Sequence, residues 1–122
     1  MLAYKETLTS DITRVALEWL PSPVFVHDVD TLFYANLAAQ ELFGASDRSH
    51  LEGLAIESIV HPHDRDAGAQ RRTLVLQHDH VYERVPLKLL TLQGEPLYLE
   101  VSARRIFVGG VPLILAVGRW GS

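Results

Sequence analysis

From Val81 to Arg119 the chain alternates between apolar and polar residues. Val85, Leu87 and Leu89 fall between Arg84, Pro86 and Lys88, and after Gln93-Gly94-Glu95-Pro96 the alternation resumes. There Leu97, Leu99, Val101 and Ala103 oppose Tyr98, Glu100, Ser102 and Arg104. Gly109-Gly110 then leads into Val111-Pro112-Leu113-Ile114-Leu115-Ala116-Val117, apolar on both faces. Period-two patterning bounded by Gly and Pro predicts strands, and short breaks between them predict antiparallel neighbours. Such a meander has an oily face that earlier parts of the chain must cover, because a lone sheet is not stable half-exposed to water.

The upstream chain supplies short elements suited to that task. Ser10 is a helix cap, Asp11 lies in the first turn, and Ile12, Val15, Ala16, Trp19 and Leu20 form a helical stripe that Pro21 and Pro23 end. Leu2 and Leu8 extend the stripe upstream. Val24–Asp28 and Leu32–Ala35 read as short strands around a turn at Val29-Asp30-Thr31. Asn36 suits the N-cap of a short helix carrying Ala39, Leu42 and Phe43 and stopped by Gly44. A brief helical piece starts at Ser46-Asp47-Arg48-Ser49, and Ile56, Ile59 and Val60 form the next apolar face. Pro62 and Asp64 open a further helix, with Ala67, Gln70, Arg71 and Leu74 on one side and Arg65 and Arg72 toward water. His78-Asp79-His80 ends it.

Composition narrows the possibilities. A chain of 122 residues, 48% apolar and 21% charged, fits one domain with one core. The net charge of −4 and the lack of a basic stripe argue against direct nucleic-acid contact. Without Cys there is no disulfide, thiolate nucleophile, Cys-bound metal or cysteinyl-flavin chemistry. No apolar run is long enough for a bilayer and the N-terminus carries no basic-then-apolar leader pattern, so no membrane contact is expected and the localisation is read as cytoplasmic.

The order helix, two strands, several short helices, three long strands resembles the PAS domain family. The resemblance rests on Pro23-Val24-Phe25-Val26-His27-Asp28, on Phe33-Tyr34-Ala35-Asn36 through Leu42-Phe43-Gly44, on Leu51-Glu52-Gly53 with His61-Pro62-His63-Asp64, and on Gln93-Gly94 before Leu99-Glu100-Val101-Ser102-Ala103. It implies an α+β class: a five-stranded antiparallel sheet in the order 2-1-5-4-3, covered on one face by short helices. Residues 1–20 would be an N-terminal flanking helix and residues 21–120 the PAS domain. Members often close the last strand with an Asp-Ile-Thr-type step into an output linker, whereas here Gly118-Arg119 precedes Trp120.

By analogy with ligand-binding members, Val85, Leu87, Leu89, Leu97, Leu99, Val101, Ala103, Ile114, Ala116 and Gly118 look inward, as do Phe25 and His27. The helices add Leu42, Phe43, Ile56, Ile59, Val60 and Leu74. A guest of this lining is small and mainly apolar, with His27 or Tyr34 as its polar handle. Each of these two residues has a plainer reading, a satisfied strand histidine and a packing aromatic. Leu113, Leu115 and Val117 are left for the N-terminal helix or a second subunit, so a homodimer through that helix and the outer sheet face is expected. The resemblance further implies a bacterial sensory module, non-enzymatic and without a cofactor, that regulates an attached output domain outside this chain in signal transduction or transcription regulation.

Two readings stand beside that one: a ligand-free PAS dimerisation module with a filled core, and a small cone-shaped α+β isomerase-like enzyme with His27 as its base. The second expects long helices before a bent sheet, which the early short strands do not supply. His61-Pro62-His63 and His78-Asp79-His80 have chelating spacing but lack further ligands. His78 is the nearest match to a haem-holding His on the long helix, and it falls at the helix end.

Overall fold

The computed structural model describes residues 15–120. The cap at Ser10 with Asp11 and Ile12, the extension through Leu2 and Leu8, and Gly121-Ser122 lie outside the described residues. Residues 15–19 are helical. Then follow β1 (Val24–His27), β2 (Leu32–Ala35), α1 (Leu37–Leu42), 3-10 helices at Arg48–His50, Ile56–Ile59 and Pro62–Asp64, α2 (Arg65–His78), β3 (Tyr82–Leu90), β4 (Pro96–Val108) and β5 (Val111–Arg119). The five strands form one sheet in the order β2-β1-β5-β4-β3, with every neighbouring pair antiparallel. This is the α+β PAS architecture, and it leaves no place for the cone-shaped alternative.

Local chemistry sets the turns. Asp28 Oδ1 accepts from the amides of Asp30 (2.8 Å) and Thr31 (2.7 Å), closing the β1–β2 turn. Gly109 and Gly110 both have positive φ, 57° and 82°, which a two-residue hairpin between Val108 and Val111 requires. The segment from β2 to β3 crosses the inner face as a lid, and it also covers both sheet edges. Along β2, the Leu32 amide donates to Leu54 O (2.9 Å) and Gly53 to Leu32 O (2.7 Å). Along β3, His61 donates to Lys88 O (3.0 Å), and the Lys88 amide donates to Asp64 Oδ2 (2.8 Å). The edge groups of Leu32 and Lys88 are thereby taken up within the chain.

Asn36 fastens the N-terminal segment to the sheet. It is fully buried, and its Oδ1 accepts from Ala39 N (3.0 Å) as the N-cap of α1 and from Val24 N (2.9 Å). Its Nδ2 donates to the carbonyls of Leu17 and Ser22, each at 2.9 Å. The helical stripe expected to cover the sheet is turned the other way. Val15, Ala16, Trp19 and Leu20 are exposed, with Trp19 at 81%, while Leu17 and Glu18 are half-buried.

The core lies between lid and sheet. Phe25 and Phe43 meet edge to face at 5.5 Å, among Leu32, Leu51, Ile56, Ile59, Leu89, Leu97 and Leu99. No helix of the described residues is long and apolar enough to cross a membrane.

Candidate functional site

The core does not fill all the space beneath α2. A cavity of about 100 Å3 lies between α2, the Ile56–Ile59 turn and the inner faces of β1, β3, β4 and β5. Pairing fixes those faces: Phe25 sits opposite Ala116 and His27 opposite Ile114, while Val85 and Leu87 sit opposite Val101 and Leu99. Of the residues singled out from sequence, Phe25, His27, Phe43, Ile56, Ile59, Val60, Val85, Leu87, Leu89, Val101, Ile114 and Ala116 line the cavity.

Tyr34, Leu42, Leu74 and Leu99 do not line it. Tyr34 pairs with Val26, the outward residue between Phe25 and His27, so alternation puts it on the other face. Its hydroxyl donates to Glu18 Oε2 at 2.7 Å; burial first, and then this bond, hold the phenol above its usual pKa. Leu42 packs partly buried against the core beside the cavity. Leu74 is exposed because α2 is rotated from the expected phase: its buried residues are Gly68, Arg72 and Val75. Leu99 is buried at the solid end of the core. There its Cδ1 lies 3.0 Å from the point a β-carbon on Gly118 would occupy, so the space under Gly118 is already taken.

Gly68, Arg71, Arg72, Val75 and Tyr82 line the cavity without having been singled out for it, as does Ala103, which sequence had placed on the inward face. Arg72, expected toward water, is only 8% exposed. Its Nε donates to Val29 O (2.8 Å) and its Nη2 to Glu57 Oε1 (2.8 Å), joining α2 to the β1–β2 turn and to the Ile56–Ile59 turn. The burial of a charge is tolerated because it is both paired and hydrogen-bonded. Arg71 is half-buried and has no ion-pair partner among the described residues. Gly68 was the available signal: a glycine inside a helix, four residues before an arginine, makes room for a side chain folding back over it.

His27 lines the same cavity and is as buried as Arg72. Its Nδ1 lies 2.9 Å from the carbonyl oxygen of Asp28. Burial chiefly, with the charge of Arg72 adding to it, pushes the imidazole from 6.5 down to about 4 against the opposing backbone bond. His27 is therefore neutral near pH 7 and offers no charge to a guest.

The histidine pairs do other work. His61 Nδ1 accepts from His63 N at 3.1 Å, and His80 packs against Tyr82 with ring centroids 4.6 Å apart. His78, the last residue of α2, is exposed and does not line the cavity. Among the described residues no group of three or more His, Asp or Glu is placed to hold a metal ion.

Comparison with known proteins agrees with this architecture. A family model described as PAS domain matches residues 12–78. The fold is similar to the PAS domain of an HTR-like protein from Haloarcula marismortui, at 20% identity and TM-score 0.77, covering 96% of this chain and 95% of that one. It is similar to a domain of a sensory box sensor histidine kinase/response regulator from Geobacter sulfurreducens, at 19% identity and TM-score 0.74, covering 92% and 94%. A third likeness is the PAS domain of nitrogen regulation protein NR(II) from Vibrio parahaemolyticus, at 20% identity and TM-score 0.71, covering 88% and 95%. No curated protein matches the chain.

Proposed function

Since the chain belongs to the PAS domain family, we propose that it is a sensory module that binds a small, mostly apolar guest in the cavity under α2 and so regulates an attached output domain. The family supports a signalling role, and the solved relatives include parts of a sensor kinase and a nitrogen regulator. The observation that carries the guest is the cavity itself. A sealed void of about 100 Å3 would cost on the order of 2 kcal/mol, and since this one is partly open, a fitting molecule recovers at most that. Residues 21–120 then form the sensing domain and residues 1–20 the flanking element, in a cytoplasmic bacterial regulator of signalling or transcription.

Thermal melts against small alcohols, aromatics and ketones test the reading. A guest at a hundred-fold excess over its Kd adds about 2.7 kcal/mol, a rise on the order of 10 °C for a domain of this size. A melting temperature unmoved by every member of the panel would refute it. The second reading, a dimerisation module without a guest, is favoured by the outward stripe of Val15, Trp19 and Leu20, with Val117 and Trp120 also exposed. A homodimer burying the N-terminal helix and the outer sheet face would cover them. Sedimentation of Val117→Asp against the unaltered chain checks this: a dimer weakened at least ten-fold is expected, and a monomeric unaltered chain would dismiss it.

A further inference from the structure

Two side chains in the cavity wall are each about nine-tenths buried, and each leaves one polar atom unused. His27 Nδ1 faces a carbonyl oxygen, which only accepts, so Nδ1 carries the proton. Nε2 is then a bare acceptor, with no partner among the described residues. Arg72 commits Nε to Val29 O and Nη2 to Glu57. Its Nη1 makes no hydrogen bond among the described residues and lies over Gly68, 3.2 Å from where a β-carbon there would sit. Gly68, Arg72 and His27 all line the same cavity.

We infer that the guest is recognised through a hydroxyl group, which donates to His27 Nε2 and accepts from Arg72 Nη1. The inference rests on the guest-binding reading above and specifies its chemistry. Both atoms still touch solvent at the cavity wall, and a hydrocarbon guest would strip that water from them without replacing its bonds, which costs more than the bonds themselves are worth. A carboxylate would accept from Arg72 but set its lone pairs against Nε2, and an ammonium group would face the guanidinium. Glu57 already balances the charge of Arg72, so the deep end of the cavity is close to neutral. Arg71 is the feature that would pull toward an anion, and the test includes that case. This cavity is smaller than the engineered one of about 150 Å3 that takes up benzene, but it is partly open, so a short chain fits within it and a single ring can enter with its far edge at the mouth. Phenol is the probe.

Calorimetric titration of the full chain at neutral pH with phenol, toluene and benzoate separates the possibilities. Phenol is expected to bind about ten-fold or more tighter than toluene, its match in size. The nitrogen resonance of His27 Nε2 should move with phenol and stay put with toluene. His27→Phe keeps the bulk and removes the acceptor, so it should reduce the phenol preference to within about two-fold; the resonance test on the unaltered chain does not depend on that variant folding. Equal affinity for phenol and toluene would overturn the hydroxyl while leaving the cavity a guest site. Benzoate binding tightest would overturn it in favour of Arg71. Uptake of none of the three would remove both this inference and the reading it rests on.

Discussion

Replacing Asn36 by Ala should be among the costliest single changes in this domain. The side chain makes four hydrogen bonds while fully buried, and each loss can be weighed. Losing the N-cap of α1 costs about 1 kcal/mol. The Val24 amide, fully buried on β1, would be left without an acceptor, at about 1–3 kcal/mol. The carbonyls of Leu17 and Ser22 would lose a donor but sit near enough to water to recover part of it. The total is about 3–4 kcal/mol, a large share of the roughly 5–15 kcal/mol typical of a domain. Asn36→Asp divides the sum. Asp caps as well as Asn and still accepts from Val24 and Ala39, but it sets a negative charge against two carbonyl oxygens. Urea unfolding followed by circular dichroism gives both values, with a constant m-value as the check that only the native state changed. Asn36→Asp should lose the docking of residues 15–19 first, seen as rising fluorescence mobility of Trp19, while the sheet stays intact. A cost below about 1 kcal/mol for Asn36→Ala would refute the idea that one amide ties the flanking segment to β1.

Three further outcomes follow from the same geometry. His27 has a folded pKa of about 4 against 6.5 unfolded, so the unfolded chain takes up the proton first and stability falls as pH drops from 6.5 to about 4. Above 6.5 the term vanishes. His27→Phe should flatten that interval by about 2–3 kcal/mol in urea titrations at stepped pH, and identical slopes in the two proteins would contradict the burial of a neutral ring. Gly118→Ala puts a β-carbon 3.0 Å from Leu99 Cδ1 and 3.2 Å from Pro23 Cγ, so it should destabilise by about 1–3 kcal/mol; an unchanged melting temperature would mean that Leu99 has room to move. Arg72→Met removes both ties from α2 to the turns it holds, and about 2 kcal/mol should be lost. Hydrogen exchange should then speed up at Ile56–Ile59 more than in β4, and uniform speeding would deny Arg72 a local role.

The strands were legible because their alternation is local: Leu87 with Leu89 and Ile114 with Ala116 share a face by spacing alone. So were the caps, since Asn36 and Pro62 act within a few residues of themselves. What escaped depends on partners distant in the chain. The buried face of α2 is decided by Arg72 meeting Glu57 and Val29 O, and a charged residue on a weakly amphipathic helix reads as solvent-facing until that acceptor is known. Tyr34 was misplaced because its partner across β1 is Val26 and neither Phe25 nor His27, a register that spacing within β2 alone does not reveal. Tyr82 enters the cavity wall because β3 begins before a bulge between Tyr82 and Val85, with Arg84 at φ 51°, and the alternation shows only after it. The stripe at Val15 and Trp19 was visible, but its direction was not, since the bonds from Asn36 to Leu17 and Ser22 orient that segment.

β5 is where occupancy of the cavity would reach the rest of a larger protein. Ile114 and Ala116 line the cavity, Leu113, Leu115 and Val117 alternate with them toward the outer face, and the strand runs out at Arg119 beside exposed Trp120. A guest changes the output only through the free energy by which it prefers one packing of β5 over another. Filling the void is worth at most about 2 kcal/mol and two hydrogen bonds about as much again, so the largest bias from one site is about 4 kcal/mol, near a thousand-fold in population. Carrying a two-state switch from 1:99 to 99:1 takes about 5.5 kcal/mol. One cavity of this size therefore grades an output without fully reversing it, whereas two cavities acting across a shared outer face would exceed the requirement. Guest titrations of the chain in its dimeric and monomeric forms, read at Trp120, should show the steeper response in the dimer; equal steepness would place the coupling within a single domain.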